Sequence, residues 1–274
     1  MILSELIPFL DQIGLRPKKF LSQNFLIDRN IVHKILRLAE IQPGDIVLEI
    51  GPGPGALTAA LLNAGASVLA IEKDPVLAQA LHRLQTPDHR LHVIAEDALT
   101  CSFSTISAHK VVANLPYHIT TPLLEKLFLH PFSSLTLMMQ KEFAHRLLAQ
   151  PGSKEFSSFT LFSQFYTSLQ GKFHVPPDCF YPKPTVHSSV IRLDPHPHPL
   201  KAPKPLFSLI QRAFQQRRKM LSSALRALYP PQLTQQILAE LHLRQDARAE
   251  TLSLQEWLCF FTALQKESEC ALSS

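Results

Sequence analysis

A short apolar run, Ile46-Val47-Leu48-Glu49-Ile50, flows straight into Gly51-Pro52-Gly53-Pro54-Gly55, and no other feature limits the possible folds of this chain as much. The run reads as a buried strand. Glycines let a backbone turn tightly and approach a ligand at a helix N-terminus. Helical spacing resumes at Ala56 and stops at Ala64-Gly65 after Asn63. The pattern then repeats. Strands are predicted over Val68 to Glu72, Leu91 to Ile94, Val111 to Ala113 and Leu135 to Met139, and helices over 24–40 (opening near Asp28), from Pro75, and over Thr121 to Leu129. Strands alternating with helices imply an α/β fold with a mostly parallel sheet covered on both faces.

Three predicted strand ends carry polar groups. Glu72 lies 21 residues after Gly51. A carboxylate there can accept both ribose hydroxyls of a nucleoside. Asp97 ends the third strand and can accept from an adenine amino group; a helix N-cap is its plainer reading. Spacing alone fits a dinucleotide as well as S-adenosylmethionine. The dinucleotide fingerprint, however, is Gly-x-Gly-x-x-Gly, and Gly51, Gly53 and Gly55 follow Gly-x-Gly-x-Gly. That spacing disfavours a pyrophosphate cradle.

The fourth strand runs into Asn114-Leu115-Pro116-Tyr117. An exocyclic adenine amine is a poor nucleophile because its lone pair is delocalised into the ring. Hydrogen bonds from its N–H groups to the Asn114 side-chain oxygen and the Leu115 carbonyl would help it pyramidalise. Pro116 fixes the loop and removes a competing donor. Tyr117 offers a stacking face, worth about 1–3 kcal/mol per base in single-stranded recognition. An Asn turn followed by a core Tyr is the plainer reading. Phe180 in Phe180-Tyr181-Pro182-Lys183-Pro184 could form the opposite wall of a base slot, or simply be a buried aromatic.

Charge is unevenly placed. The formal net charge is +5. Pro195 to Ala239 holds seven Lys/Arg and no Asp/Glu, so the other 20 basic residues face all 22 acidic ones. A second basic cluster, Arg16, Lys18, Lys19, Arg29, Lys34 and Arg37, is opposed by Asp28 alone. Such segments suit a polyanion. Nine of the 22 prolines fall in 176–205, and Pro195-His196-Pro197-His198-Pro199 reads as a stiff linker. Beyond it, Phe207, Ile210, Phe214, Leu221, Leu225 and Leu228 recur at helical spacing, with Arg212, Lys219 and Arg226 on the other face. Arg217 and Arg218 extend that basic face. The domains expected are 1–194, catalytic, and 195–274, helical and RNA-binding.

Cys101, Cys179, Cys259 and Cys270 have neither metal-ligand nor disulfide spacing, and His196 and His198 read as linker. No metal is expected, and a reducing, cytoplasmic setting is. The N-terminus lacks the basic start of a secretory signal. No apolar run approaches the roughly 18 to 20 residues that span a bilayer, so no membrane partner is expected.

Taken together, these residues resemble the KsgA/RsmA family of small-subunit rRNA adenine dimethyltransferases almost end to end. Ser22-Gln23-Asn24-Phe25-Leu26 looks like its N-terminal cofactor motif. Val47 to Thr58, Ile71 to Asp74, Glu96 to Leu99 and Val112 to Thr120 look like its successive methyltransferase motifs. Met139 through Arg146, and Phe180 through Val190, resemble its downstream motifs. Phe214-Gln215-Gln216-Arg217-Arg218-Lys219 resembles its C-terminal signature. Ser22 stands where the family commonly has Gly.

The resemblance implies a class I S-adenosylmethionine-dependent methyltransferase fold with a small C-terminal helical domain. It implies cofactor contacts at Asn24, Leu26, Gly51, Glu72, Asp97 and Asn114, and a base framed by Asn114 to Tyr117 and Phe180. It implies, as substrate, two adjacent adenosines in a hairpin loop near the 3′ end of small-subunit rRNA. Its implied partner is the immature small subunit. Two rivals use the same fold: a large-subunit rRNA adenine methyltransferase of the resistance type, and a nucleic-acid-binding factor without catalysis. Decay of the acceptor loop would mark the second, and that loop is intact.

Overall fold

A computed structural model describes residues 1–17, 23–116, 119–198, 200 and 203–272, without the side chains at 105 and 268–272. Ser22, Lys18, Lys19 and Tyr117 lie outside the described residues. Two compact units form, one from Met1–Ala144 and Thr167–His196, the other from His145–Tyr166 and Pro197–Ser274.

The first unit begins with helix α1 (Leu3–Gln12), the two-residue strand β1 (Phe25–Leu26) and helix α2 (Arg29–Leu38). Asp28 caps α2 by accepting from the backbone N–H groups of Asn30 and Ile31 at 2.8 and 3.2 Å, an interaction worth about 1 kcal/mol. Then come β2 (Ile46–Ile50), α3 (Ala56–Asn63), β3 (Ser67–Ile71), α4 (Pro75–Leu81), β4 (Leu91–Ile94), β5 (Lys110–Asn114), α5 (Thr120–Phe128) and β6 (Ser134–Gln140). Helices α6 (Lys141–Leu147) and α7 (Ser158–Tyr166) lead to β7 (Thr167–Val175), β8 (Phe180–Tyr181) and β9 (Ser188–Pro195).

Among the described residues the main sheet runs β4-β3-β2-β5-β6-β9-β7. Pairs among β2 to β6 are parallel, and β9 pairs antiparallel with both β6 and β7. The central strands are buried apolar runs, as a sheet covered on both faces requires. Successive strands step outward from β2 to β4, and the chain then returns to β5 on the other side. That reversal opens a crevice at the carboxyl ends of β2 and β5, where α/β sheets bind ligands.

Two sequence expectations are corrected. The helix opens at Asp28 as expected, but residues 24–27 are not part of it, because Phe25 and Leu26 pair with Tyr181 and Phe180. The antiparallel strands β7 and β9 were not anticipated. A register shift between Leu169 and Gly171 breaks the alternation that would have marked β7.

The second unit contains α7, α8 (Lys204–Phe214), α9 (Leu221–Ala224), α10 (Pro231–Glu240) and α11 (Leu254–Leu272). It begins close to the linker expected at 195, but it also takes in residues 145–166. Aromatic packing explains the recruitment: Phe165 and Phe162 meet the Phe207 ring at 5.1 and 5.0 Å. The helical spacing across 207–228 is shared between two helices, α8 and α9. After Phe214 the chain turns, and Leu221 N–H donates to the Ala247 carbonyl at 2.7 Å.

Candidate active site

The strand tips stand level. Ile50 pairs with Ile71, and Ile71 with Ile94. Gly51 N–H donates to Ile71 O at 2.9 Å, and Glu72 N–H to Ile94 O at 3.0 Å. One cleft forms over these tips, and Asn24, Leu26, Gly51, Glu72, Asp97 and Asn114 all line it. Leu115 and Pro116 line it as well.

Gly51, Gly53 and Gly55 have φ of +66°, +56° and +85°, the left-handed region that L side chains resist. A Cβ on Gly53 would also sit 3.1 Å from the Phe25 ring. The turn is latched to Glu72. Oε2 of Glu72 accepts from Gly53 N–H at 3.0 Å, and Oε1 from Asp74 N–H at 2.8 Å. Burial pushes the Glu72 carboxyl above its ordinary value, while those two N–H donors pull the other way. Asp97 accepts from Leu99 N–H at 2.9 Å and from Lys73 Nζ at 2.8 Å.

Asn114 stands at the end of β5, and its Nδ2 donates to the Asn24 backbone carbonyl at 3.2 Å. A carbonyl can only accept, so the amide nitrogen must face Asn24 and Oδ1 must face the other way. Asn24 reaches the cleft because β1 is paired with β8 beside it. Phe180 is not among the residues that line this cleft, and its burial fits the plainer of its two readings. Its side chain is 3% exposed and packs in the core with Leu26, Ile31 and Val32. Its backbone, opposite Leu26, holds the N-terminal segment in place.

Glu49 was missed as a candidate. It is 1% exposed, lines the cleft and has an Oε2 without a hydrogen-bond partner. Burial pushes its carboxyl up to about 8. The signal was present in the sequence: one acid in the otherwise apolar strand Ile46–Ile50.

The basic candidates in the second unit divide by partner. Arg217 is ion-paired with Glu250, and its guanidinium donates to Ser153 O at 3.0 Å. Arg212 donates to Gln215 Oε1 at 3.1 Å. Arg218, Lys219 and Arg226 are exposed. Arg217 thus differs from the other three in being tied to Glu250 and Ser153 while staying partly exposed. Among the described residues no helix is long and apolar enough to cross a membrane, and no group of His, Cys, Asp and Glu is arranged to hold a metal ion.

The model of the ribosomal RNA adenine dimethylase family matches residues 14–266. The chain belongs to that family. Ribosomal RNA small subunit methyltransferase A of Protochlamydia amoebophila is 45% identical over 277 aligned residues, covering 95% of this chain and 96% of that protein. A dimethyladenosine transferase from Plasmodium falciparum superposes with a TM-score of 0.79 at 26% identity, covering 89% of this chain and 98% of that one. The 23S rRNA methyltransferase ErmE superposes at 0.70 and 26% identity, covering 88% and 100%. The fold is therefore the class I methyltransferase fold that the sequence implied. As a dimethylase, this chain must hold a methyl donor and a target amine in one site, and the cleft joins both sets of candidates.

Proposed function

We propose that this protein transfers methyl groups from S-adenosylmethionine to N6 of two adjacent adenosines in a hairpin loop near the 3′ end of 16S rRNA, giving N6,N6-dimethyladenosines. One observation carries the reading: Gly51, Glu72 and Asp97 share a single cleft with the acceptor residues Asn114, Leu115 and Pro116. Kinship with a small-subunit methyltransferase supports the choice of subunit.

The cleft chemistry fits the cofactor. A cationic, donor-rich nucleoside matches a buried, partnerless Glu49 oxygen and the two carboxylates Glu72 and Asp97. When bound, S-adenosylmethionine supplies an electrophilic methyl on a sulfonium. Glu72 accepts from ribose hydroxyls, and its fixed Oε atoms keep the Gly51–Gly55 turn open beneath the ligand. Asp97 accepts from the adenine amino group. Asn24 and Leu26 close the cleft from the N-terminal side.

Asn114 Oδ1 and the Leu115 carbonyl accept the two N–H groups of the target amine. This turns its lone pair out of the ring plane. The amine sheds its proton after attack, so no dedicated base is needed. Alignment supplies most of the acceleration. Pro116 rigidifies the loop, and Tyr117 stacks on the base. Hairpin bases unstack cheaply, which lets a purine enter the cleft. Arg218, Lys219, Arg226 and Arg212 contact phosphates. The setting is the cytoplasm and the partner is the immature small subunit.

A radiolabelled methyl-transfer assay on immature small subunits, followed by nucleoside analysis, tests the reading. Dimethyladenosine in 16S rRNA is expected. Mass mapping in a deletion strain separates the large-subunit alternative: unchanged small-subunit rRNA rejects the proposal. An intact acceptor sequence, with Asn114, Leu115 and Pro116 lining the cleft, argues against a factor without catalysis.

A further inference from the structure

Asp97 sits on a short turn whose own hydrogen bonds leave its later carbonyls to a distant side chain. Its carbonyl accepts from the N–H groups of Thr100 and Cys101 at 3.0 and 2.9 Å, which closes a single helical turn. A turn that stops there leaves its last carbonyls without the backbone donors that a longer helix would supply. Those carbonyls meet one side chain. Lys126, on α5, donates from Nζ to Ala98 O at 2.9 Å, to Leu99 O at 3.1 Å and to Cys101 O. The ammonium also lies 4.2 Å from the centre of the Phe103 ring. An ammonium has three donors, and here all three are used. A cation at the carboxyl end of a helical turn is also favoured by the aligned peptide dipoles. His130, just beyond α5, adds a fourth tie, with Nε2 2.6 Å from the Phe103 carbonyl.

The helix that supplies Lys126 is itself built on the acceptor loop. Thr120 Oγ1 donates to Pro116 O at 3.2 Å, and Leu123, Leu124 and Leu127 are buried. Helix α5 is thus tied at its start to the Pro116 carbonyl and, through Lys126, to the turn that carries Asp97. Ala98, the first residue held by Lys126, lines the cleft next to Asp97.

We propose that Lys126 is a positioning residue for recognition of the adenine ring of the methyl donor: it fixes the Asp97 turn against α5 and so aims the Asp97 acceptor at the 6-amino group. The proposal rests on the assignment of Asp97 to that group. Lys126 touches neither ligand. Its effect passes through the three carbonyls, so it concerns which purine is accepted rather than how fast methyl moves.

The test uses the full chain and two probes: S-adenosylhomocysteine, and its analogue with hydrogen in place of the 6-amino group. Affinities are measured by calorimetry for the native protein, D97A and K126M. K126M is expected to bind S-adenosylhomocysteine about tenfold more weakly, the scale of one charge-assisted hydrogen bond, and to bind the analogue nearly as the native protein does. A general loosening of the fold would weaken both probes alike, and that result overturns the proposal. So does an unchanged selectivity. The D97A variant separates the two levels. If it binds S-adenosylhomocysteine as tightly as the native protein, the Asp97 assignment itself fails, and the Lys126 proposal with it. If D97A loses selectivity and K126M keeps it, the role of Lys126 alone is refuted. Should K126M not fold, K126Q retains two donors and is expected to show a smaller loss of selectivity in the same direction; full native selectivity there would also count against the proposal.

Discussion

The side-chain nitrogen of Asn114 donates to the backbone carbonyl of Asn24 at 3.2 Å, joining residues 90 positions apart across the mouth of the cleft. One amide thus does two things. Its nitrogen anchors the N-terminal segment, and this leaves its oxygen as the acceptor for the substrate amine. Removing the side chain should therefore affect catalysis more than cofactor binding. Asn114→Ala is expected to lower kcat by about 100-fold, the scale of removing an acceptor and its alignment from the transition state, with the cofactor KM changed only a few-fold. Asn114→Asp should lower both, because its carboxylate oxygen would face the Asn24 carbonyl and push the segment away. Steady-state kinetics with each substrate varied in turn checks the split, and equal losses in the alanine variant would refute the amine role.

Glu72 has a comparable double duty. Both its oxygens accept backbone N–H groups, from Gly53 and Asp74, so its shape holds the glycine turn as well as presenting an acceptor. An isosteric amide cannot reproduce this, since its NH2 would face one of those donors. Glu72→Gln should weaken S-adenosylhomocysteine by about tenfold or more, and Glu72→Ala further, because unpaired buried donors add to the missing ribose hydrogen bonds. Calorimetric titration reads both values. Native affinity in either variant would remove Glu72 from the site.

Glu49 makes a prediction about acidity. Its folded carboxyl titrates near 8, against an ordinary value of 4.5. Between those values the unfolded chain has lost that proton and the folded chain still holds it. The folded state then binds more protons, so stability falls as pH rises through the window. Glu49→Gln removes this contribution. The difference in Tm between native and variant, measured without cofactor from pH 5 to 8.5, should shift steadily in favour of the variant. A pH-independent difference would mean that Glu49 is ionised in the fold.

These residues also explain what could be read from the chain in advance. The parallel strands were legible because strands buried on both faces are apolar throughout, and the polar residues at their tips stood out against that background. Phe25–Leu26 was hidden, since two residues carry no periodicity and lie directly before the helix that Asp28 caps. Spacing left Phe180 as a slot wall or a buried aromatic; its pairing with Leu26 shows how it comes to be buried. The helical spacing across 207–228 was legible, whereas the break between its two helices depends on tertiary bonds to Ala247 and Glu250. Lys126 left no trace in the sequence at all, because its partners are backbone carbonyls.

The basic C-terminal segment separates into two kinds of residue, and mutagenesis should separate them too. Arg217 is tied to Glu250 and to the Ser153 carbonyl, with its side chain 34% exposed. Partial exposure screens the pair, so Arg217→Ala should cost about 1 kcal/mol and lower Tm by a few degrees, roughly 2–4 °C. Arg218 and Lys219 are exposed beside it. Reversing both charges should leave Tm unchanged while weakening rRNA binding. The slope of log affinity against log salt should fall by about one for each phosphate no longer neutralised. Filter binding across a salt series, paired with thermal melts, gives both readouts. A salt slope that survives the double reversal would leave this surface a solvated face. An Arg217→Ala protein with native Tm but a reduced slope would return that residue to the RNA.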